Sequence, residues 1–293
     1  MTALPDRPVW APLTPREVRR GRTGWYAYDL ANHSYIAVVG TVLFAPYLTS
    51  VATTAACGAV RPCTTDLRVA GVAVSPGSLV FYAIPLATIL ATLFLPVVGA
   101  AADRSGSPRR LLGVFALTGA AATVAMAGIR GGDWQLGVGL LTVATISLAC
   151  SVVVTNSLLH DLSGPDERDA VSARGWAAGY VGSTVSLAAA LAVLTYAPRL
   201  GLDTTSAVLV SFVFAGLWWG AFTVVPLVVL PDRRRLDGAA GRPGGFPAGS
   251  RQSRGSRGSR GSRGRNRILL DLRDTYREIR AHPSRPGSCS SRC

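Results

Sequence analysis

Apolar positions in this chain neither alternate nor confine themselves to one helical face. They run in unbroken blocks separated by short polar stretches. A helix needs about 20 apolar residues to cross a bilayer, and six charge-free blocks meet that length. They predict transmembrane helices near 30–51, 79–102, 111–129, 135–159, 175–196 and 206–230. Lipid gives the backbone no hydrogen-bonding partner, so such segments are helical, and the period-two alternation of a membrane β-barrel is absent. The expected fold class is all-α integral membrane, a six-transmembrane-helix bundle over 24–230 after a tail at 1–23. Past Leu230 the pattern changes to Gly, Pro, Ser and Arg. Residues 231–267 include a Ser-Arg-Gly repeat from Ser253 to Gly264 and read as a disordered linker. Ile268, Leu269, Leu272, Tyr276 and Ile279 then mark one face of a short amphipathic helix over 268–282, and 283–293 is patternless.

Charge adds an orientation. All 30 basic residues are arginine, and their excess is uneven: 14 arginines against 11 acids up to Leu230, 16 against 5 beyond it. Arg7, Arg16, Arg19, Arg20 and Arg22 precede the first span. Arg104, Arg109 and Arg110 lie between the second and third, Arg168 and Arg174 between the fourth and fifth, and Arg233, Arg234 and Arg235 after the sixth. The alternate loops hold Arg61 and Arg68, then Arg130, then Arg199. Arginine bias therefore predicts a multi-pass cell-membrane protein with both termini cytoplasmic. The lipid bilayer is its first partner. The basic tail suits anionic lipid, with nucleic acid the weaker reading because the repeat contains no aromatic residue.

The candidate chemistry sits at helix ends. Gly99-Ala-Ala-Ala-Asp103-Arg104-Ser-Gly106-Ser-Pro108-Arg109-Arg110 links the second and third spans. In it Gly99 can admit a neighbouring helix, Asp103 can pair with an arginine or a helix N-terminus, and Gly106 can permit the turn. The first span opens Trp25-Tyr-Ala-Tyr-Asp29-Leu-Ala-Asn32-His33. Asp29, Asn32 and His33 stand at i, i+3 and i+4, either facing protein or a water-filled path or as an N-cap with interfacial decoration. His33 reads as a packing histidine or a proton relay. Asn156, His160 and Asp161 close the fourth span; Arg174 opens the fifth, whose Gly175, Gly179 and Gly182 form a small-residue face. Asp29, His160, Asp161 and Arg174 are expected to form a charged cytoplasmic gate. Cys57 and Cys63 share the first outward loop, compatible with a disulfide or with two thiols. No phosphate loop, metalloprotease motif or nucleophile elbow occurs, so no enzyme activity, cofactor or metal is expected.

Two sequence blocks carry a family resemblance. One is the Trp25–Tyr35 opening; the other is Asn156-Ser-Leu-Leu-His-Asp161 followed by Val171-Ser-Ala-Arg174-Gly-Trp176-Ala-Ala-Gly-Tyr180-Val-Gly182. With the loop motif Gly99, Asp103, Arg104, Gly106, Arg109 and Arg110, they resemble the bacterial branch of the vacuolar effluxer-like family of the major facilitator superfamily. The resemblance implies twelve helices in two halves and alternating access, with amino-acid export in eukaryotic members. Asp29, Asn32, Asn156, Arg174, Gly175, Trp176, Gly179 and Tyr180 match the family pattern, whereas His33 and His160 depart from it. On this reading the chain corresponds to an N-terminal half and its ending reads as a truncated or frameshifted product. Its expected partners are a small-molecule substrate and either a missing C-terminal half or a second copy. A non-transporting membrane fragment or anchor is the alternative.

Overall fold

The computed structural model describes residues 12–60 and 62–232. The linker, the amphipathic segment at 268–282 and the final residues lie outside them. Among the described residues, six helical rods are long and apolar enough to cross a membrane.

The first rod, Pro15–Cys57, is continuous but not uniform. It comprises α1 (Pro15–Ser34), a π-helical stretch (Tyr35–Leu43) and α2 (Phe44–Cys57). The remaining rods are α3 (Leu79–Arg104), α4 (Pro108–Ala125), α5 (Trp134–Leu162), α6 (Arg168–Tyr196) and α7 (Thr204–Val229). Between α2 and α3 a small antiparallel hairpin pairs β1 (Leu67–Val69) with β2 (Val72–Val74). Its turn places Ala70 and Gly71 at positive φ, 49° and 86°.

The first rod starts well before the expected Leu30. Thr14 caps it: its hydroxyl accepts from the Glu17 amide, and Glu17 returns a bond to the Thr14 amide at 2.9 Å. Pro15 adds a preset first-turn φ. The polar turns that follow stay helical because one side packs on protein. Gly21 lies under Leu162, and Gly24 under Val229 and Leu230.

The principal packing partners are α3 with α5, α5 with α4, α4 with α7, α7 with α1, and α1 with α6. Exchanging the first rod with α5, α3 with α6 and α4 with α7 maps these pairs onto one another, the sign of a three-plus-three internal repeat. Two buried clusters fill the bundle. One, towards the hairpin, contains Phe44, Leu48, Met126, Phe212 and Trp219. The other, towards the α3–α4 turn, contains Trp25, Tyr28, Leu112, Val154 and Leu162. The least covered rods are those of α3 and α6.

Candidate functional site

Close approach of α1 to α6 builds the site. A Cβ at Gly175 would fall 1.9 Å from the Trp25 ring and 2.4 Å from Asp29 Oδ2. One at Gly179 would lie 2.5–2.7 Å from three atoms of the His33 imidazole, and one at Gly182 would lie 2.3 Å from the Leu30 carbonyl oxygen. The three glycines are a track on which Trp25, Asp29, Leu30 and His33 rest, because no side chain fits between the two backbones.

That contact gathers four of the sequence candidates. A carbonyl only accepts, so His33 Nδ1–H donates to the Asp29 carbonyl at 2.7 Å, and Nε2 is the ring nitrogen left over. The imidazole meets Trp176 edge-on at 5.8 Å and Tyr180 at 6.4 Å, and the two aromatic rings lie 6.1 Å apart. Trp176 and Tyr180 are 56% and 63% exposed, so their outer faces are free of protein. The Asp29 carboxylate is half-buried and makes no hydrogen bond or ion pair with the described residues. A carboxylate, an imidazole nitrogen and two aromatic faces thus share one border between α1 and α6.

Other candidates go elsewhere. Asn32 points into the bundle, 1% exposed, and neither of its amide atoms has a hydrogen-bond partner among the described residues. Around it Tyr28 donates to Ser151 of α5, while Tyr35 lies against Trp219 at 5.3 Å. Asn156, His160 and Arg174 are exposed and Asp161 is half-buried. Asp29 lies against Gly175 of α6 and makes no ion pair with His160 or Arg174, so the expected four-residue gate of Asp29, His160, Asp161 and Arg174 is not closed through Asp29. The N-cap reading of Asp29 also fails, because that residue sits in the interior of α1.

Ion pairs at this end of the bundle involve residues that patterning did not single out for this role. Arg22 pairs with Glu167, and its Nε–H donates to the Leu162 carbonyl at 2.8 Å, tying α1 to the end of α5. Arg109 of the loop motif pairs with Asp232 beyond α7 at 2.7 Å. The Thr14-x-x-Glu17 capping box was the available signal for the first, since it places Arg22 on a helix rather than in a tail.

The two glycines of the loop motif are less constrained than expected. A Cβ at Gly99 would meet Val153 at an ordinary 3.6 Å, and Gly106 does not have positive φ. Asp103 and Arg104 end α3 on its exposed side. Cys57 and Cys63 are joined in a disulfide with Cα atoms 5.6 Å apart.

Six apolar rods and a solvent-side turn rich in arginine define an integral, multi-pass membrane protein. Residues 17–245 match the sequence profile of the family described as "Vacuole effluxer Atg22 like", of major facilitator type, and the chain belongs to that family. It is 29% identical over 202 residues to an uncharacterized MFS-type transporter, YxiO, of Bacillus subtilis (strain 168), covering 68% of this chain and 44% of that protein. The chain thus spans less than half the length of this curated relative. No solved structure matches it.

Proposed function

We propose that this bundle is one half of a secondary transporter that moves a small amino-bearing solute, with amino acids as the first class to test. The observation that carries this reading is the α1–α6 border. An unpaired carboxylate attracts an ammonium group, and the exposed faces of Trp176 and Tyr180 suit the same cation. Membership of the effluxer-like family supports a transport role over a catalytic one. The uncovered sides of α3 and α6 are where a second six-helix half, from another chain or a second copy, packs to enclose the path. The arginine-rich turns face the cytoplasm and the hairpin faces outward.

The test is counterflow of labelled amino acids into proteoliposomes holding the full chain, alone and together with a co-expressed second half. The expected result is flux above protein-free vesicles that falls at least about tenfold in Asp29→Asn, as removal of a charge partner implies. Flux equal to that of empty vesicles in both arrangements defeats the reading.

A further inference from the structure

The outer border of α4 with α7 carries a second feature, unconnected with the α1–α6 border. An open trough of about 760 Å³ runs between α4 and α7. Its head is formed by Arg109 and Arg110, and its walls by Val114, Leu117 and Leu227. Residues 110, 114 and 117 recur at helical spacing, so they line one stripe of α4. The floor is Gly113, where a Cβ would fall 2.9 Å from Leu227 Cδ2. From Arg109 to Thr118 the trough extends roughly 13 Å along the helix axis. Val114 and Leu117 are 62% and 45% exposed.

The head and the walls of this trough have opposite chemistry, with Thr118 at the far end. The walls are apolar and belong to two membrane-crossing rods. The head holds two guanidinium groups at the end of α4 that meets the α3–α4 turn, the depth of the lipid headgroups. Arg109 spends one donor on Asp232, while each guanidinium offers five. A soluble anion would satisfy the head and leave the walls bare; a hydrocarbon chain alone would do the reverse. An anionic phospholipid satisfies both.

We propose that the α4–α7 trough is a specific site for an anionic phospholipid, its phosphate held by Arg110 and Arg109 and one acyl chain laid along Val114, Leu117 and Leu227. The site depends on the membrane-spanning fold and not on the transport reading.

The full chain in neutral detergent is mixed with equal amounts of phosphatidylglycerol and phosphatidylcholine, and retained lipid is counted by native mass spectrometry. Thermal unfolding is followed in parallel with each lipid and with inorganic phosphate. Phosphatidylglycerol is expected to be retained preferentially and to raise the unfolding midpoint, with phosphate alone inert. Arg110→Gln should cut the preference about fivefold, the weight of one arginine at an anionic surface. Leu117→Trp, which fills the trough while keeping both arginines, should abolish retention. Arg68→Gln, an equal charge loss in the hairpin, should change nothing. Equal retention of the two lipids by the native chain overturns the proposal. So does protection by phosphate as strong as that by lipid, or an unchanged preference in both trough variants.

Discussion

At the scale of single residues, Gly175 and Gly179 decide how near α1 comes to α6. A methyl at either would lie well inside van der Waals contact distance of a ring. Gly175→Ala and Gly179→Ala should each cost about 1–3 kcal/mol through overpacking, read as a lower midpoint of thermal unfolding in detergent. Gly99→Ala, with its 3.6 Å neighbour, should stay within about 0.5 kcal/mol. Equal effects at all three would mean the glycine track is not what sets the interface. Asn32 makes a different case. Its amide is buried with neither atom paired among the described residues, a cost of about 1–3 kcal/mol when no water supplies the bonds. Asn32→Leu, similar in shape, is expected to raise the unfolding midpoint. A fall instead would show that the amide is satisfied in solution. Spacing placed Asp29, Asn32 and His33 on a common face, and the structure divides them. A helix turns about 100° per residue, so Asn32 and His33 lie about 100° apart around the axis. With α5, α7 and α6 all packed on α1, that angle is enough to send Asn32 inward and His33 to α6.

Among elements, the most unusual is the nine-residue π-helical stretch inside the first rod. Thr41 marks its wider turn, donating its hydroxyl to the Ile36 carbonyl five residues back at 2.8 Å. Such stretches recur at functional sites and give a rod a local change of pitch, here one turn beyond His33. A period of 3.6 does not reveal it, since its residues are simply apolar. Nor did the apolar blocks reveal the polar start of the rod, because hydropathy measures lipid contact while the first turns of α1 pack on the ends of α5 and α7. The hairpin was hidden for another reason: three-residue strands are too short to show alternation. Its turn sets Ala70 at positive φ, a conformation asparagine adopts more readily. Ala70→Asn should therefore stabilise the hairpin by about 0.5–1 kcal/mol, measured as slower amide exchange across β1 and β2. At the start of α7, Asp203 accepts from the Ser206 hydroxyl at 2.5 Å and from the Thr205 amide, which holds its carboxyl below the usual carboxylate range. A lowered folded value means that the cap stabilises fully above the unfolded pKa of about 3.9 and is lost as pH falls through the lower folded value. Asp203→Ala should therefore flatten the acid limb of the stability profile.

For the whole molecule, the sequence was most informative where lipid is the constraint. Six crossings follow from block length alone, since a bilayer leaves the backbone no other solution. The order in which the rods pack was not legible, because an apolar surface looks the same whether it meets lipid or another helix. The structure resolves it through small and polar contacts: the glycine track, Trp25 donating to the Thr155 carbonyl at 3.2 Å, and Trp218 donating to the Leu30 carbonyl at 3.2 Å. Orientation rests on a separate argument, arginine bias, and so needs its own measurement. The hairpin and the α3–α4 turn lie at opposite ends of α3, a 26-residue helix of roughly 39 Å. In a cysteine-free background, single cysteines at Ala73 and Ser105 report the two ends. A membrane-impermeant maleimide applied to intact cells should label Ala73→Cys at once and Ser105→Cys only after permeabilisation. The reverse pattern would place the arginine-rich turns outside. The Asp29 border lies nearer the turn end of the first rod than the hairpin end, so under the proposed transport role a solute would then meet it from the opposite side of the membrane.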